Sequence, residues 1–104
     1  MRSTTHELPD IRFLTSGPVT EDERAAAERA LRTVLGDVRG TVSSAGLTLS
    51  VVADGALPRP ALAQAVVEIG GRKVRAQAAA RTITEAIGLL RERLTLRTSH
   101  LRDG

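Results

Sequence analysis

The most regular pattern of hydrophobic and polar positions lies in the second half of the chain. Residues 61–69 and 72–80 form two runs without proline or glycine, and a Gly-Gly pair separates them. This arrangement predicts a two-residue β-hairpin, because hairpin turns need positive φ values that glycine adopts freely. In the register that such a turn sets, Glu68 faces Lys73. An opposite-charge pair directly across the two strands favours that register.

The predicted hairpin has one apolar face and one polar face. Six small or β-branched side chains share the apolar face: Ala63, Ala65, Val67, Val74, Ala76 and Ala78. The other face carries Gln64 opposite Gln77 and Val66 opposite Arg75. Because small side chains allow a helix to approach closely, we expect helices to cover the apolar face. The polar face is left for water or a partner.

Two amphipathic helices are predicted, each with a capping-box start. Thr20 with Glu23 opens a helix over about 21–35, and Thr82 with Glu85 opens a longer helix that continues to about residue 97. The apolar stripe of the first contains Ala27, Ala30, Leu31, Val34 and Leu35, and that of the second Ile83, Ala86, Ile87, Leu90, Leu94 and Leu101. The acidic run at the start of the first helix suits the helix dipole, so we interpret it as capping and not as a metal or catalytic site.

Short alternating segments over 10–15 and 47–54 complete the predicted elements as strands, with a loop over 37–46. The order β-α-β-β-β-α predicts an α+β fold, a four-stranded mixed sheet with both helices on one face. The β-α-β start favours parallel pairing of the first two strands. We expect one domain over 1–104, with an ordered core over about 10–98. The predicted buried residues are Phe13, Leu31, Val34, Leu49, Val51, Val67, Val74, Ile87, Leu90 and Leu94.

Composition removes several classes of function. The chain has no cysteine, which excludes disulfides, thiolate catalysis and cysteine-based zinc sites. No catalytic motif or metal-ligand spacing appears, and His6 and His100 stand alone near opposite ends, so we expect no enzyme, metal, cofactor or small-molecule substrate. No apolar run reaches membrane-spanning length and no signal peptide is evident, so we expect a cytoplasmic protein without a membrane partner.

Charge points towards a polyanion. The formal net charge is +3 and the sequence pI is about 10.9. Phe13 is the single aromatic residue, so there is no platform for stacking bases. The candidate residues for contacting the phosphates of a polyanion are Arg29, Arg32, Arg72, Lys73, Arg75, Arg81, Arg91, Arg93, Arg97 and Arg102. A solvated basic surface without a ligand is the alternative interpretation of the same residues. Leu89 and Leu96 form a second stripe on the last helix, either incidental or an interface for self-association.

The order of elements and two local patterns resemble the ribosome hibernation promoting factor family, which includes the ribosome-associated inhibitor. The patterns are Val74-Arg75-Ala76-Gln77-Ala78, and Ala86-Ile87-Gly88-Leu89-Leu90 followed by Arg93-Leu94. The resemblance implies binding to the small ribosomal subunit near the decoding region, where the domain would hold the ribosome idle as a translation inhibitor. Without aromatics, RNA would be bound through phosphates, 2′-hydroxyls and shape.

A second hypothesis is a dimeric protein-interaction module on the same fold that does not bind RNA, paired through Leu89 and Leu96. The placement of the arginines discriminates between the two. One continuous basic face that spans both helices favours RNA. Scattered arginines that each pair with a carboxylate, together with a buried interface on the second helix, favour the interaction module.

Overall fold

The computed structural model describes residues 9–52 and 55–102, except for the side chains of residues 100–102. The six elements follow the predicted order. They are β1 (Ile11–Ser16), α1 (Glu21–Gly36), β2 (Val42–Val51), β3 (Ala61–Ile69), β4 (Arg72–Ala80) and α2 (Ile83–Arg102). The predicted α+β class is therefore confirmed. His6 lies outside the described residues, as does the side chain of His100.

The four strands form one mixed sheet in the order β1-β2-β3-β4. β1 pairs with β2 in parallel, and the other two pairings are antiparallel, as predicted. The hairpin register is also confirmed, with Glu68 opposite Lys73 and Gln64 opposite Gln77. Gly70 and Gly71 both have positive φ, of 57° and 82°. The glycine turn and the alternating pattern of the two strands were therefore sufficient to predict the pairing of β3 with β4.

Each helix begins at its predicted cap. The backbone N–H of Thr20 donates to Glu23 Oε1 at 2.9 Å, and the N–H of Glu23 donates to Thr20 Oγ1 at 3.1 Å. At the start of α2, the N–H of Glu85 donates to Thr82 Oγ1 at 3.2 Å. These bonds satisfy N–H groups that the first turn of a helix leaves without partners.

One hydrophobic core lies between the sheet and both helices, so the two helices cover the same face. Alternate residues of β2, β3 and β4 are buried against the stripes of α1 and α2. Seven residues predicted to be buried are buried: Leu31, Val34, Leu49, Val67, Ile87, Leu90 and Leu94.

Three predicted core residues, Phe13, Val51 and Val74, are only partly buried. Phe13 and Val74 lie on the two edge strands, which have a neighbouring strand on one side only, and Val51 is the last residue of β2. The guanidinium of Arg24 lies 5.1 Å from the ring centroid of Phe13 and covers part of it.

The predicted start of β2 was wrong. Residues 42–46 were expected to be part of a loop, but β2 begins at Val42. Ala45 pairs with Val67 of β3 and with Ile11 of β1, so neighbours distant in sequence hold a segment rich in serine and glycine in the strand. The predicted strand ended at residue 54, and residues 53 and 54 lie outside the described part of the chain. No helix in the described residues is long and apolar enough to cross a membrane.

Gly17 is required where β1 turns towards α1. Its φ is +80°, and a Cβ at this position would overlap the carbonyl oxygen of Val51. We expect Gly17→Ala to lower the free energy of unfolding by more than the roughly 1–2 kcal/mol that a left-handed alanine costs, because the overlap adds to it. Urea denaturation measures the change.

Gly88→Ala is the matched control for that substitution. Gly88 lies inside α2, and an added Cβ meets no atom within 4 Å. It should raise the free energy of unfolding by up to about 1 kcal/mol, the difference in helix propensity between the two residues. Equal stability of Gly17→Ala and the wild type would contradict the steric argument.

Candidate nucleic-acid interface

A cluster of basic side chains lines a groove between the edge strand β4 and the second half of α2. The groove has a volume of about 890 Å³. It is lined by Ala76, Gln77 and Leu96 and by three arginines, Arg75, Arg93 and Arg97. We call these three residues the arginine groove. All three side chains are exposed.

Helix and sheet geometry together bring the three arginines to one place. Arg93 and Arg97 are four residues apart and so share one side of α2. Arg75 belongs to the sheet face away from the helices, but it lies on an edge strand and therefore reaches the same groove. Arg93 is also fixed in position, because its Nη1 donates to the backbone carbonyl of Gln77 at 2.8 Å.

The arginine groove has no carboxylate to neutralise it within the described residues. Among these, the single ion pair joins Arg32 Nε to Glu28 Oε2 at 3.0 Å, on the exposed surface of α1. Lys73 faces Glu68 across the hairpin but forms no ion pair there, and Glu68 Oε1 instead accepts a hydrogen bond from Ser43 Oγ at 3.3 Å. Three guanidinium groups without a counter-ion create a local positive potential that favours a polyanion.

The other predicted residues do not join this groove. Arg91 lies on the opposite flank of α2, in a cleft shared with Thr33 of α1 and with Asp37, which caps the end of α1. Arg81 lines a separate groove with Glu85 and Glu92. Four more are exposed elsewhere: Arg29, Arg32, Arg72 and Lys73. The side chain of Arg102 lies outside the described part. Three of the ten candidate residues therefore cluster at the β4 edge, and no continuous basic face across both helices is evident among the described residues.

The two leucines considered for an interface are both exposed, Leu89 to 36% and Leu96 to 67%. Leu96 borders the arginine groove, and Leu89 lines the neighbouring groove with Ala79 and Ala80. Leu89 therefore lies on the flank of α2 beside the β4 edge, whereas Leu96 also lines the cleft that contains Arg91 and so lies between the two flanks.

Sequence reasoning missed two contributors to this region. The carbonyl of Gln77 anchors Arg93, and no sequence signal identifies a backbone acceptor on an edge strand. Arg59 lines the same groove as Arg81, but it precedes β3 in a connection whose path could not be predicted. In the described part of the chain, no group of three or more His, Asp or Glu residues could hold a metal ion.

Comparisons with known proteins identify two solved structures that share the fold of this chain. No protein-family model matches the sequence, and no curated protein sequence matches it. A ribosomal subunit interface protein from Coxiella burnetii superposes with a TM-score of 0.71 at 16% identity, over 90% of this chain and 98% of that one. The N-terminal domain of Protein Y from Thermus thermophilus superposes with a TM-score of 0.70 at 21% identity, over 89% of this chain and 99% of that one.

This chain has their fold. The expectation of a hibernation-factor-like domain, drawn from the resemblance in sequence, is thus confirmed at the level of fold. At these identities, the likeness establishes the fold alone.

Proposed function

We propose that this chain associates with ribosomes, binds RNA of the small subunit near the decoding region through phosphate contacts, and thereby inhibits translation. The observation that carries the proposal is the arginine groove, with three guanidinium groups unpaired to any described carboxylate. It occurs on a fold shared with a ribosomal subunit interface protein and with the N-terminal domain of Protein Y. A ribosome-bound inhibitor would act in the cytoplasm, and no catalytic role is proposed.

The chemistry of the groove suits phosphodiesters. A guanidinium presents a planar set of donors that matches two phosphate oxygens at once. Because the bond to Gln77 already holds Arg93, less side-chain freedom is lost when its remaining donors bind a phosphate. With a single aromatic residue in the chain, recognition through the backbone fits better than recognition by stacked bases.

The alternative function is the dimeric interaction module that does not bind RNA. The exposure of Leu96 and Leu89 supports it. Against it, the arginines are not each paired with a carboxylate, since Arg32 alone has a carboxylate partner in the described residues. The balance of these observations favours RNA.

Co-sedimentation with purified small ribosomal subunits tests the proposed function directly. Phosphate contacts release counterions, so we expect the wild-type protein to pellet at about 50 mM salt and to be largely released at about 200 mM. Folded protein that fails to pellet with intact subunits at the lower salt concentration would refute the proposal.

Competition then tests the location on the subunit. Binding near the decoding region predicts that bound messenger RNA and transfer RNA displace the protein, and that the protein inhibits translation in a reconstituted system. If messenger RNA and transfer RNA do not reduce pelleting, the protein contacts another part of the subunit. The proposed inhibition of translation would then be refuted.

A further inference from the structure

The outer edge of β4 has no neighbouring strand in the described chain. β4 pairs with β3 on one side, and the sheet order ends there. The carbonyl of Gln77 accepts a hydrogen bond from Arg93 Nη1 and so faces away from β3. Because backbone groups alternate in direction along an antiparallel strand, the N–H and C=O of Arg75 and Ala79 face outward with those of Gln77. Such an edge is a template for an added strand.

Two grooves lie beside this edge, and they differ in charge. The arginine groove contains three arginines and no carboxylate from the described residues. The second groove is lined by Arg59 and Arg81 and also by Glu85 and Glu92, so its charges balance. Its other lining residues are apolar or glycine, and Leu89 is the largest of them. We call it the neutral groove. Together, the two grooves set five arginines against two glutamates along the edge.

Positions on β4 and α2 correspond level by level. The hydrogen bond between them sets Gln77 level with Arg93, and the neutral groove brings Ala79 beside Leu89. Two strand residues, roughly 7 Å, thus match four helix residues, roughly 6 Å. By the same step, Arg97 lies level with the strand residue two before Gln77, with which it shares the arginine groove.

A strand added beside β4 would place every second side chain against this flank of α2. At two consecutive levels those side chains would meet Arg97 and Arg93, and at the third they would meet Leu89. We propose that the β4 edge binds an extended segment of a partner protein as an added antiparallel strand. The segment carries an aliphatic residue followed, at alternate positions, by two acidic residues. The acids match the arginine groove, and the aliphatic residue matches the neutral groove.

Arg93 changes its partner when such a segment docks. Its bond occupies the Gln77 carbonyl, which the N–H of an added strand would need. A carboxylate on the segment offers Arg93 a charge-assisted bond, about twice as strong as one between neutral groups. The acidic side chain therefore draws Arg93 from the edge and frees the carbonyl, so that charge pairing and backbone pairing act together.

The outward backbone of β4 is what favours a peptide over RNA as the occupant of this edge. RNA has no regular row of N–H and C=O groups, whereas an extended peptide pairs with such an edge through its own main chain. Peptide binding does not depend on ribosome binding. Because both ligands use the same arginines, a docked segment and RNA in the arginine groove exclude each other.

Fluorescence anisotropy of the isolated protein with a labelled, capped peptide tests the proposal. In this peptide, threonines alternate first with one leucine and then with two glutamates. We expect saturable binding at low salt, and none when lysines replace the glutamates. A third peptide keeps every side chain of the first but is methylated at its backbone nitrogens. It should not bind, because it cannot pair as a strand.

Ala79→Pro tests the edge from the side of the protein. It removes an N–H that faces away from β3, so the ladder between β3 and β4 stays intact, and proline is tolerated at such positions of edge strands. We expect peptide binding to weaken by about tenfold or more through the lost hydrogen bond and the blocked approach. Pelleting with small ribosomal subunits should not change, because the arginine groove is intact. Failure of this proposal is therefore distinguishable from failure of the proposed function.

Arg97→Ala tests the charge pairing and should weaken peptide binding by about tenfold, the loss of one charged hydrogen bond. Arg91→Ala is its matched control, an exposed arginine on the other flank of α2 that should leave binding unchanged. Circular dichroism verifies that each variant is folded. If Ala79→Pro does not fold, the methylated peptide still decides.

Three results would overturn the proposal. One is that the glutamate peptide does not bind at up to about 1 mM, the weak end of measurable affinity. Another is equal binding by the methylated peptide or by Ala79→Pro, which would show the attraction that any polyanion, RNA included, has for these arginines. The third is a dimer of the protein alone that Ala79→Pro dissociates, since the edge would then belong to a second copy.

Discussion

Arg75→Glu combined with Arg97→Glu should release the protein from small ribosomal subunits at a salt concentration at which the wild type pellets. Both residues line the arginine groove, and neither forms an ion pair in the described structure. A hydrogen bond to a charged group contributes about 1.5–3 kcal/mol, so losing one at each position should weaken binding by at least a hundredfold in total. The slope of log affinity against log salt should fall by about two, one for each lost phosphate contact.

Arg12→Glu with Arg24→Glu is the matched control for net charge. Both arginines are exposed and belong to β1 and α1, at the opposite edge of the sheet from β4. The control should bind with nearly wild-type affinity if the arginine groove is the contact. Equal weakening by the two double variants would show that overall charge alone drives binding. Arg93 is left unchanged in both, since it also donates a hydrogen bond to the backbone carbonyl of Gln77 within the fold.

Leu90→Ala should lower the free energy of unfolding by about 2–5 kcal/mol, the range for a buried leucine whose removal leaves a cavity. Leu90 is 4% exposed and lies in the core where α2 meets the sheet and α1. The expected loss is large against the roughly 5–15 kcal/mol that stabilises a whole domain. Urea denaturation followed by circular dichroism measures it.

The adjacent Leu89→Ala is the control for that substitution. Leu89 is 36% exposed, so its truncation should change the free energy of unfolding by much less. Similar losses for the two variants would mean that the flank of α2 contributes to the folded state as much as the core side does. In that case the assignment of Leu89 to a free surface would be wrong.

Local chemistry explains why parts of this fold could be predicted. The β3-β4 hairpin has its glycine turn and its alternating small residues within twenty consecutive positions, so its register could be predicted without the rest of the chain. Both helix starts carry a threonine whose hydroxyl accepts from the N–H three residues on. In each case, the decisive interactions join residues close in sequence.

The candidate site was predictable as a set of residues and not as an arrangement. The four-residue spacing of Arg93 and Arg97 places them on one side of a helix. It could not show that Arg75 reaches them round the sheet edge, or that Arg91 belongs to a cleft with α1. Both placements depend on the order of the strands and on which strand α2 covers. No short segment of the sequence contains this information.

The sequence by itself determined the class of fold, the order of its elements, the register of β3 with β4 and the caps of both helices. Tertiary structure alone decided that β2 begins at Val42, since pairing with β3 and β1 overrides the weak strand preference of its first residues. It also decided the partial burial of Phe13 on an edge strand, and the bond from Arg93 to the Gln77 carbonyl. These outcomes depend on contacts between segments distant in the chain, which exist only once the sheet and helices have packed together.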